Sequence, residues 1–209
     1  MPPTDPAAGS DVPGSDVPGA GDRTPGGRAA LLIIDMQNAF FEDEVLAKAQ
    51  GPLVAACNGL IDAAQRGGSP VLVARTEHLA DRSTWTTSML DDDQGFIFRG
   101  THQAAVVDGL RVSGLETVTK TRDSAFFGTD LAERLRGHAV ERLVLAGVST
   151  HNCVAHTGAD AFAHDFRVSY ALDAIGSTNA DYAAAMLEIL SVEYRQPIVG
   201  LVEAGALLG

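Results

Sequence analysis

The sequence predicts an α/β protein, a three-layer α/β/α sandwich around a central, mainly parallel sheet of six strands. Short apolar runs alternate with helical stretches from Ala29 onward, and the links between them are short. This alternation is typical of parallel sheets that helices cover on both faces. The length of 209 residues, with 45% apolar and 20% charged side chains, fits one globular domain.

The first half of the domain alternates strand, helix and strand before a long irregular segment. Residues 30–34 are continuously aliphatic, which predicts a strand buried on both faces. Residues 51–66 carry an apolar stripe at helical spacing, and Gly67-Gly68 ends that helix. Residues 70–74 form the second predicted strand. Residues 76–103 are predicted to be an irregular insertion, and residues 104–112 a short helix or loop.

The second half repeats the alternation more regularly. Four further strands are predicted, at residues 117–119, 143–146, 168–171 and 198–199. Helices are predicted between them, at residues 130–135, 152–164 and 180–190. Asp130 is a favourable residue for the start of the first of these helices.

Residues 1–28 differ from the rest and are predicted to be a disordered tail, with the domain spanning residues 29–209. The tail consists mainly of Pro, Gly, Ser and Asp, and its sequence Ser-Asp-Val-Pro-Gly occurs twice in tandem. Such a segment buries too little apolar surface to offset the entropy lost on ordering.

Composition excludes several classes of partner. The formal net charge is −12 and the sequence has no basic stripe, so we expect no nucleic-acid partner. No apolar run approaches the roughly 20 residues that cross a bilayer, so we expect no membrane partner. Two cysteines and the lack of a recognisable secretory signal lead us to expect a cytoplasmic protein.

Chemically active side chains follow four predicted strands at the point where each strand ends. Asp35 follows the first strand, Arg75 and His78 the second, Lys120 closes the third, and Cys153 follows the fourth. In open parallel sheets, ligands bind outside the carboxyl ends of the strands. The sequence therefore predicts a site in which a carboxylate, an ammonium and a thiol meet.

Cys153 is predicted to be a nucleophile, because a helix N-terminus and a nearby ammonium both lower the pKa of a thiol. The alternative is a small, buried packing residue, which is the role we assign to Cys57 in its helical stripe. Asp35 needs a partner so close to the core, and Lys120 is the obvious one. The alternatives are a helix cap for Asp35 and an exposed strand end for Lys120.

Three segments containing these side chains resemble the isochorismatase-like cysteine hydrolases, including their nicotinamidase-related members. Their order and spacing agree with that family over about residues 29–202, and the carbamoylsarcosine amidohydrolase and general cysteine hydrolase branches are the most similar. The segments are residues 32–40, 120–131 and 147–162.

The resemblance implies a role for each residue. Asp35 would accept the thiol proton, Cys153 would attack a carbonyl to form a thioester, and Lys120 would hold Asp35 and stabilise the thiolate. The backbone amides of Ser149 and Cys153 would form an oxyanion hole. The family also implies a cis peptide between Val148 and Ser149.

The segment after the second strand departs from the metal-binding pattern of nicotinamidases. Thr76 stands where that pattern has Asp, so we expect no metal and no other cofactor. Pocket walls are predicted from the insertion and the motifs, with Arg75 or Arg99 as candidates to bind a carboxylate. The acidic run 91–93 indicates a cationic substrate instead. The predicted substrate-binding residues are Phe40, Arg75, His78, Trp85 and Phe126.

The sequence thus predicts a hydrolase that cleaves a C–N bond, in an amide, carbamoyl group or lactam, of a small-molecule substrate. An isochorismatase-type vinyl ether hydrolase and a streptothricin-type lactam hydrolase are alternatives with the same site. A non-catalytic binding protein and a thiol redox sensor are weaker alternatives, because Asp35, Lys120 and Cys153 are all present and no second cysteine lies nearby in sequence. A homo-oligomer, dimer or tetramer, is expected.

Overall fold

The computed structural model describes residues 27–209. The predicted tail lies outside the described residues except for its last two positions, and the first strand already begins at Arg28.

Within residues 27–209 the sheet has six strands, all parallel, which confirms the predicted fold class. Its spatial order is β3-β2-β1-β4-β5-β6. Each predicted strand overlaps an observed one. The strands are β1 Arg28–Ile34, β2 Val71–Thr76, β3 Glu116–Lys120, β4 Val140–Val148, β5 Arg167–Gly176 and β6 Ile198–Val199.

In the described part of the chain, six α-helices connect or follow the strands, together with two five-residue helical turns of other types. The turns are a 3₁₀ helix at Asn38–Glu42 and a π-helical turn at Thr150–Val154, which runs directly into α4. The short α2 in the insertion and the C-terminal α6 were not predicted. The helices are α1 Glu44–Gly67, α2 Thr87–Asp91, α3 Leu131–Gly137, α4 Ala155–Ala163, α5 Ala180–Glu193 and α6 Leu201–Leu208.

Two apolar clusters cover the two faces of the sheet. Side chains from α1 and α6 pack on one face, and side chains from α3, α4 and α5 pack on the other. Successive strand residues point to opposite faces, so Leu31 and Ile33 belong to the first cluster and Leu32 and Ile34 to the second. This alternation explains why the continuous aliphatic run of β1 forms a strand with no polar face.

Helix α1 begins seven residues earlier than the predicted start at residue 51. Asp43 caps it, because its Oδ1 accepts hydrogen bonds from the amides of Val45 (2.8 Å) and Leu46 (3.3 Å). Pro52 lies inside the helix, although proline is favoured in the first turn and costs stability further in. Gly68 ends the helix in a left-handed conformation, as the sequence predicted.

The centre of the sheet creates a crevice at its carboxyl edge. The chain proceeds from β1 to β2 on one side, whereas β4 pairs with the other side of β1. Such a change of direction is where open α/β sheets bind ligands. Gly147 faces Ile34 across this point with φ 110°, and a side chain there would collide with the Ile34 carbonyl oxygen.

Candidate active site

The carboxyl edge of the sheet brings Asp35, Lys120 and Cys153 together, as the sequence predicted. Asp35 follows β1 with φ 51°, and Lys120 is the last residue of β3. The Lys120 Nζ lies 2.7 Å from Asp35 Oδ2, and both side chains are fully buried. A buried ion pair adds little to the free energy of unfolding, because both charges lose their hydration when they are buried. Its presence therefore points to a role other than stability.

Thr76, at the end of β2, bridges the two charged groups. Its hydroxyl donates to Asp35 Oδ1 (2.9 Å) and accepts from Lys120 Nζ (2.7 Å), while its amide also donates to Asp35 Oδ1 (3.0 Å). Asp35 Oδ2 accepts from neither of the Thr76 groups and lies against Lys120 Nζ. Because Oδ1 already accepts two hydrogen bonds from Thr76, Oδ2 is the oxygen better placed to take a proton.

Gln37 fixes the end of β2 from the other side. Its amide group donates to the carbonyls of Thr76 (2.8 Å) and Ala104 (2.9 Å), and its oxygen accepts from the Thr76 amide (2.8 Å). Neither Gln37 nor Thr76 was predicted to be a site residue. Both had a signal in the sequence, since Gln37 lies in the first motif and Thr76 replaces a metal-ligating residue of the family pattern.

Cys153 lies in the π-helical turn after β4. The amides of Asn152 (3.0 Å) and Val154 (3.2 Å) donate to the Ser149 carbonyl, whereas the intervening Cys153 amide does not. The Val148–Ser149 peptide is cis, as the resemblance implied. The Cys153 amide therefore does not donate to the Ser149 carbonyl. The predicted oxyanion hole, formed by the Cys153 and Ser149 amides, requires that this amide be available.

The prediction that the pKa of Cys153 is lowered is wrong. Burial raises the pKa of the Cys153 thiol well above its ordinary value, and the Asp35 carboxylate raises it further, while Lys120 opposes them. Burial alone would lower the pKa of Lys120, but Asp35 and Cys153 outweigh it and the net pKa is raised. The resting site therefore holds a protonated thiol beside a charged ammonium, and the thiol needs a base to lose its proton.

Cys57 has the packing role that the sequence predicted. It is fully buried in α1 within the first apolar cluster, and its Sγ lies 3.8 Å from the Ala174 carbonyl oxygen. Burial raises the pKa of the Cys57 thiol to about 12.

The two arginines predicted as carboxylate-binding residues face the same internal carboxylate. Arg75 Nη2 lies 3.4 Å from Glu77 Oε1, and Arg99 Nε lies 3.2 Å from Glu77 Oε2. Glu77 is largely buried between them. This arrangement disfavours binding of a substrate carboxylate by either arginine.

His78 and Trp85 belong to a loop that is closed by its own hydrogen bonds. His78 Nδ1 lies 2.9 Å from the Thr84 carbonyl oxygen, and Trp85 Nε1 donates to the Leu79 carbonyl at 2.9 Å. Both side chains are buried, and burial is the main cause that lowers the pKa of His78. The predicted wall residues thus shape the insertion from within.

The two predicted phenylalanines also pack internally. Phe40, in the 3₁₀ helix, is half-buried against the first apolar cluster. Phe126 is buried in the second cluster, where its ring stacks on His164 (5.0 Å between centroids) and Phe166 (5.9 Å). Their position in the motifs therefore also has a packing explanation.

A cavity of about 470 Å³ has Asp123 in its wall. Asp123 also lies close to the nucleophile, with its Oδ1 3.8 Å from Cys153 Sγ. Another cavity, of about 490 Å³, lies at the amino ends of β4 and β5, on the opposite edge of the sheet from the thiol. The first cavity is lined by Thr86, Ser88, Met89, Asp92, Gln94, Phe96 and Asp123.

Residues 27–209 contain no group of three or more His, Cys, Asp or Glu side chains placed to hold a metal ion. No helix within the same range is long and apolar enough to cross a membrane.

Known proteins resemble this chain over most of its length. A probable inactive nicotinamidase of Arabidopsis thaliana is 32% identical over 180 residues, which cover 80% of this chain and 91% of the relative. The maleamate amidohydrolase of Pseudomonas putida is 29% identical over 178 residues, covering 81% and 82%. The crystal structure of an isochorismatase family protein from Desulfovibrio vulgaris superposes with a TM-score of 0.77 at 31% identity, covering 87% and 98%.

The sequence model of a protein family, described as the isochorismatase domain, matches residues 29–199, which include Asp35, Lys120 and Cys153. Together with the parallel sheet and the geometry at its carboxyl edge, this match shows that the chain belongs to the isochorismatase family.

Proposed function

We propose that this protein hydrolyses a C–N bond, in an amide, carbamoyl group or lactam, of a small molecule, with Cys153 as the nucleophile. One observation carries the proposal. The Cys153 thiol, whose pKa is raised by burial, lies beside a buried carboxylate that is paired with Lys120. The name of the Pseudomonas putida relative, a maleamate amidohydrolase, supports the same reaction class.

The first half of the reaction forms a thioester. Asp35 Oδ2 takes the proton of the Cys153 thiol as Sγ bonds to the substrate carbonyl carbon. Lys120 remains an ammonium and stabilises the negative charge that builds up on Sγ. The amides of Ser149 and Cys153 donate to the oxyanion of the tetrahedral intermediate. When the C–N bond breaks, Asp35 gives its proton to the leaving nitrogen.

The second half releases the acid. A water molecule attacks the thioester carbon and gives a proton to Asp35, and the second tetrahedral intermediate then expels Cys153 Sγ. The sulfur recovers its proton from Asp35, which restores the resting site. Throughout both halves Thr76 holds Asp35 Oδ1, so that only Oδ2 exchanges protons.

The test is an assay of the purified protein against amides, carbamoyl compounds, lactams and isochorismate. Ammonia release and mass spectrometry would detect the products, and Cys153→Ala would be compared with the matched variant Cys57→Ala. We expect turnover that Cys57→Ala keeps and Cys153→Ala loses, with an acyl-enzyme mass on Cys153 after rapid quenching. Turnover of isochorismate that survives in Cys153→Ala would overturn the amide assignment in favour of ether hydrolysis.

One relative is named a probable inactive nicotinamidase, which makes the comparison of the two cysteine variants necessary. Family membership alone does not establish activity, whereas the presence of Asp35, Lys120 and Cys153 in contact gives a specific reason to expect it.

Two further expectations stay predictions. For a homo-oligomer, α5 offers an apolar surface, since Tyr182, Ile189 and Val192 are exposed along it. Light scattering of the purified protein would give the subunit number. The cytoplasmic location would be checked by fractionation of cells that express the protein.

A further inference from the structure

We propose that Asp123 is a specificity-determining residue that selects substrates with a cationic group, such as a protonated amine, close to the scissile carbonyl. The inference rests on the proposed function and adds the class of substrate to it. It starts from the position of Asp123 between the thiol and the neighbouring cavity.

Asp123 borders both the cavity and the nucleophile. Its Oδ1 lies 3.8 Å from Cys153 Sγ, and its side chain also lines the cavity of about 470 Å³. Asp123 is exposed, so a ligand can reach its carboxylate. A substrate carbonyl must approach to about 3–3.5 Å from Sγ before attack, which places the neighbouring atoms of the substrate beside Asp123.

The charge of the cavity is negative and uncompensated. Its walls include Asp92 and Asp123 but no lysine or arginine. The cations around it are engaged elsewhere within the described structure. Lys120 pairs with Asp35, and Arg82 pairs with Asp93. Arg75 and Arg99 both face Glu77. Arg122 donates to the carbonyls of Thr84 and Trp85.

The carboxylate of Asp123 has a cost at this place and no structural use that offsets it. It opposes ionisation of the neighbouring thiol, which must become a thiolate to react. Within residues 27–209 its side chain makes no ion pair, and its one hydrogen bond is the long contact with Sγ. A cation bound next to Asp123 would neutralise this charge, so the substrate itself would ease formation of the thiolate.

The remaining walls fit the same ligand. Phe96 is 45% exposed and presents an aromatic ring to the cavity, a surface on which amine cations bind. Thr86, Ser88 and Gln94 add hydrogen-bonding groups. The volume is within the range of about 300–1,000 Å³ that is usual for small-molecule sites.

The first experiment measures charge selectivity at the thiol and needs no substrate. The rate of modification of Cys153 would be followed by peptide mass spectrometry with methanethiosulfonates that carry 2-aminoethyl, 2-hydroxyethyl or 2-sulfonatoethyl groups. We expect the aminoethyl reagent to react about tenfold faster than the sulfonatoethyl reagent after correction for their rates with a free thiol. Asp123→Asn should abolish most of this difference.

Asp91→Asn is the matched control, because Asp91 is an exposed carboxylate on the insertion that forms most of the cavity wall, yet it does not itself line the cavity. Equal loss of selectivity in both variants would assign the effect to the general charge of the protein and overturn the role of Asp123. Equal rates of the charged reagents in the unmodified protein would overturn it as well.

The second experiment compares turnover of 3-aminopropanamide with that of butanamide, a neutral amide of the same size. Asp123→Asn should lower the ratio of kcat/KM for the cationic amide to kcat/KM for butanamide about tenfold. An unchanged ratio would overturn the proposal. Selective labelling together with no turnover of any amide would instead count against the hydrolase function and support the cationic selectivity of the site.

Discussion

The environments of the two cysteines differ in their neighbours rather than in their burial. Cys57 and Cys153 are both buried, and burial raises the pKa of each thiol. Cys57 is surrounded by apolar side chains of the first cluster, whereas Cys153 lies beside Asp35, Lys120 and Asp123. Burial by itself makes a thiol inert, and only a neighbouring base with a stabilising cation makes such a thiol a candidate nucleophile.

The largest expected effect separates the two thiols directly. Cys153→Ala should lower kcat/KM by at least about 10³-fold, because no other group can form the thioester. Cys57→Ala should keep kcat/KM and lower the free energy of unfolding by roughly 1 kcal/mol through a small cavity. Kinetic assays and urea titrations on the same preparations would measure both. A Cys57→Ala variant as inactive as Cys153→Ala would contradict the comparison.

The buried ion pair accounts for the next effect. Asp35→Asn or Lys120→Met should each lower the free energy of unfolding by about 3–5 kcal/mol, because each leaves one buried charge without its partner. The double variant should regain much of that stability and remain inactive. Urea unfolding of the three variants would measure the coupling between the two residues. Additive losses in the double variant would show that the pair does not interact as the structure indicates.

The burial of Cys57 should also make the free energy of unfolding depend on pH. The pKa of the Cys57 thiol rises from an ordinary value of 9.0 to about 12 in the folded protein, so the folded state holds the proton more strongly. The free energy of unfolding should therefore be unaffected by this group below pH 9 and fall as the pH rises from 9 towards 12, by up to about 4 kcal/mol.

Urea titrations between pH 8 and 11 would show this loss in the unmodified protein and a smaller loss in Cys57→Ala. The comparison of the two proteins at each pH removes the contribution of other titrating groups. Identical pH profiles would mean that the Cys57 thiol ionises equally well in both states.

The smallest effect concerns the bridge between the charged groups. Thr76→Val should lower the free energy of unfolding by about 1–3 kcal/mol, because Asp35 and Lys120 each lose a buried hydrogen bond. Thr76→Ser keeps the hydroxyl and should restore both stability and kcat/KM. A Thr76→Val variant with unchanged kcat/KM would show that the Thr76 hydroxyl does not help to position Asp35.

Several features could be predicted because they depend on local patterns. Continuous aliphatic runs identified the central strands β1 and β4, since strands buried on both faces need no polar side chains. The rule for parallel sheets then placed Asp35, Lys120 and Cys153 at one edge. The start of α1 was missed because Pro52, common in the first turn, here lies in the helix interior. Helix α6 was missed because a short, almost wholly apolar stretch has no clear periodicity.

The sequence by itself determined the order of the strands along the chain, four of the helices that cover them and the residues that meet at the carboxyl edge. Only the tertiary structure decided that Thr76 links Asp35 to Lys120, that Arg75 and Arg99 face Glu77, and that the Cys153 thiol stays protonated. Hydrogen-bond partners and desolvation depend on distances between residues far apart in the chain, and local periodicity carries no information about those distances.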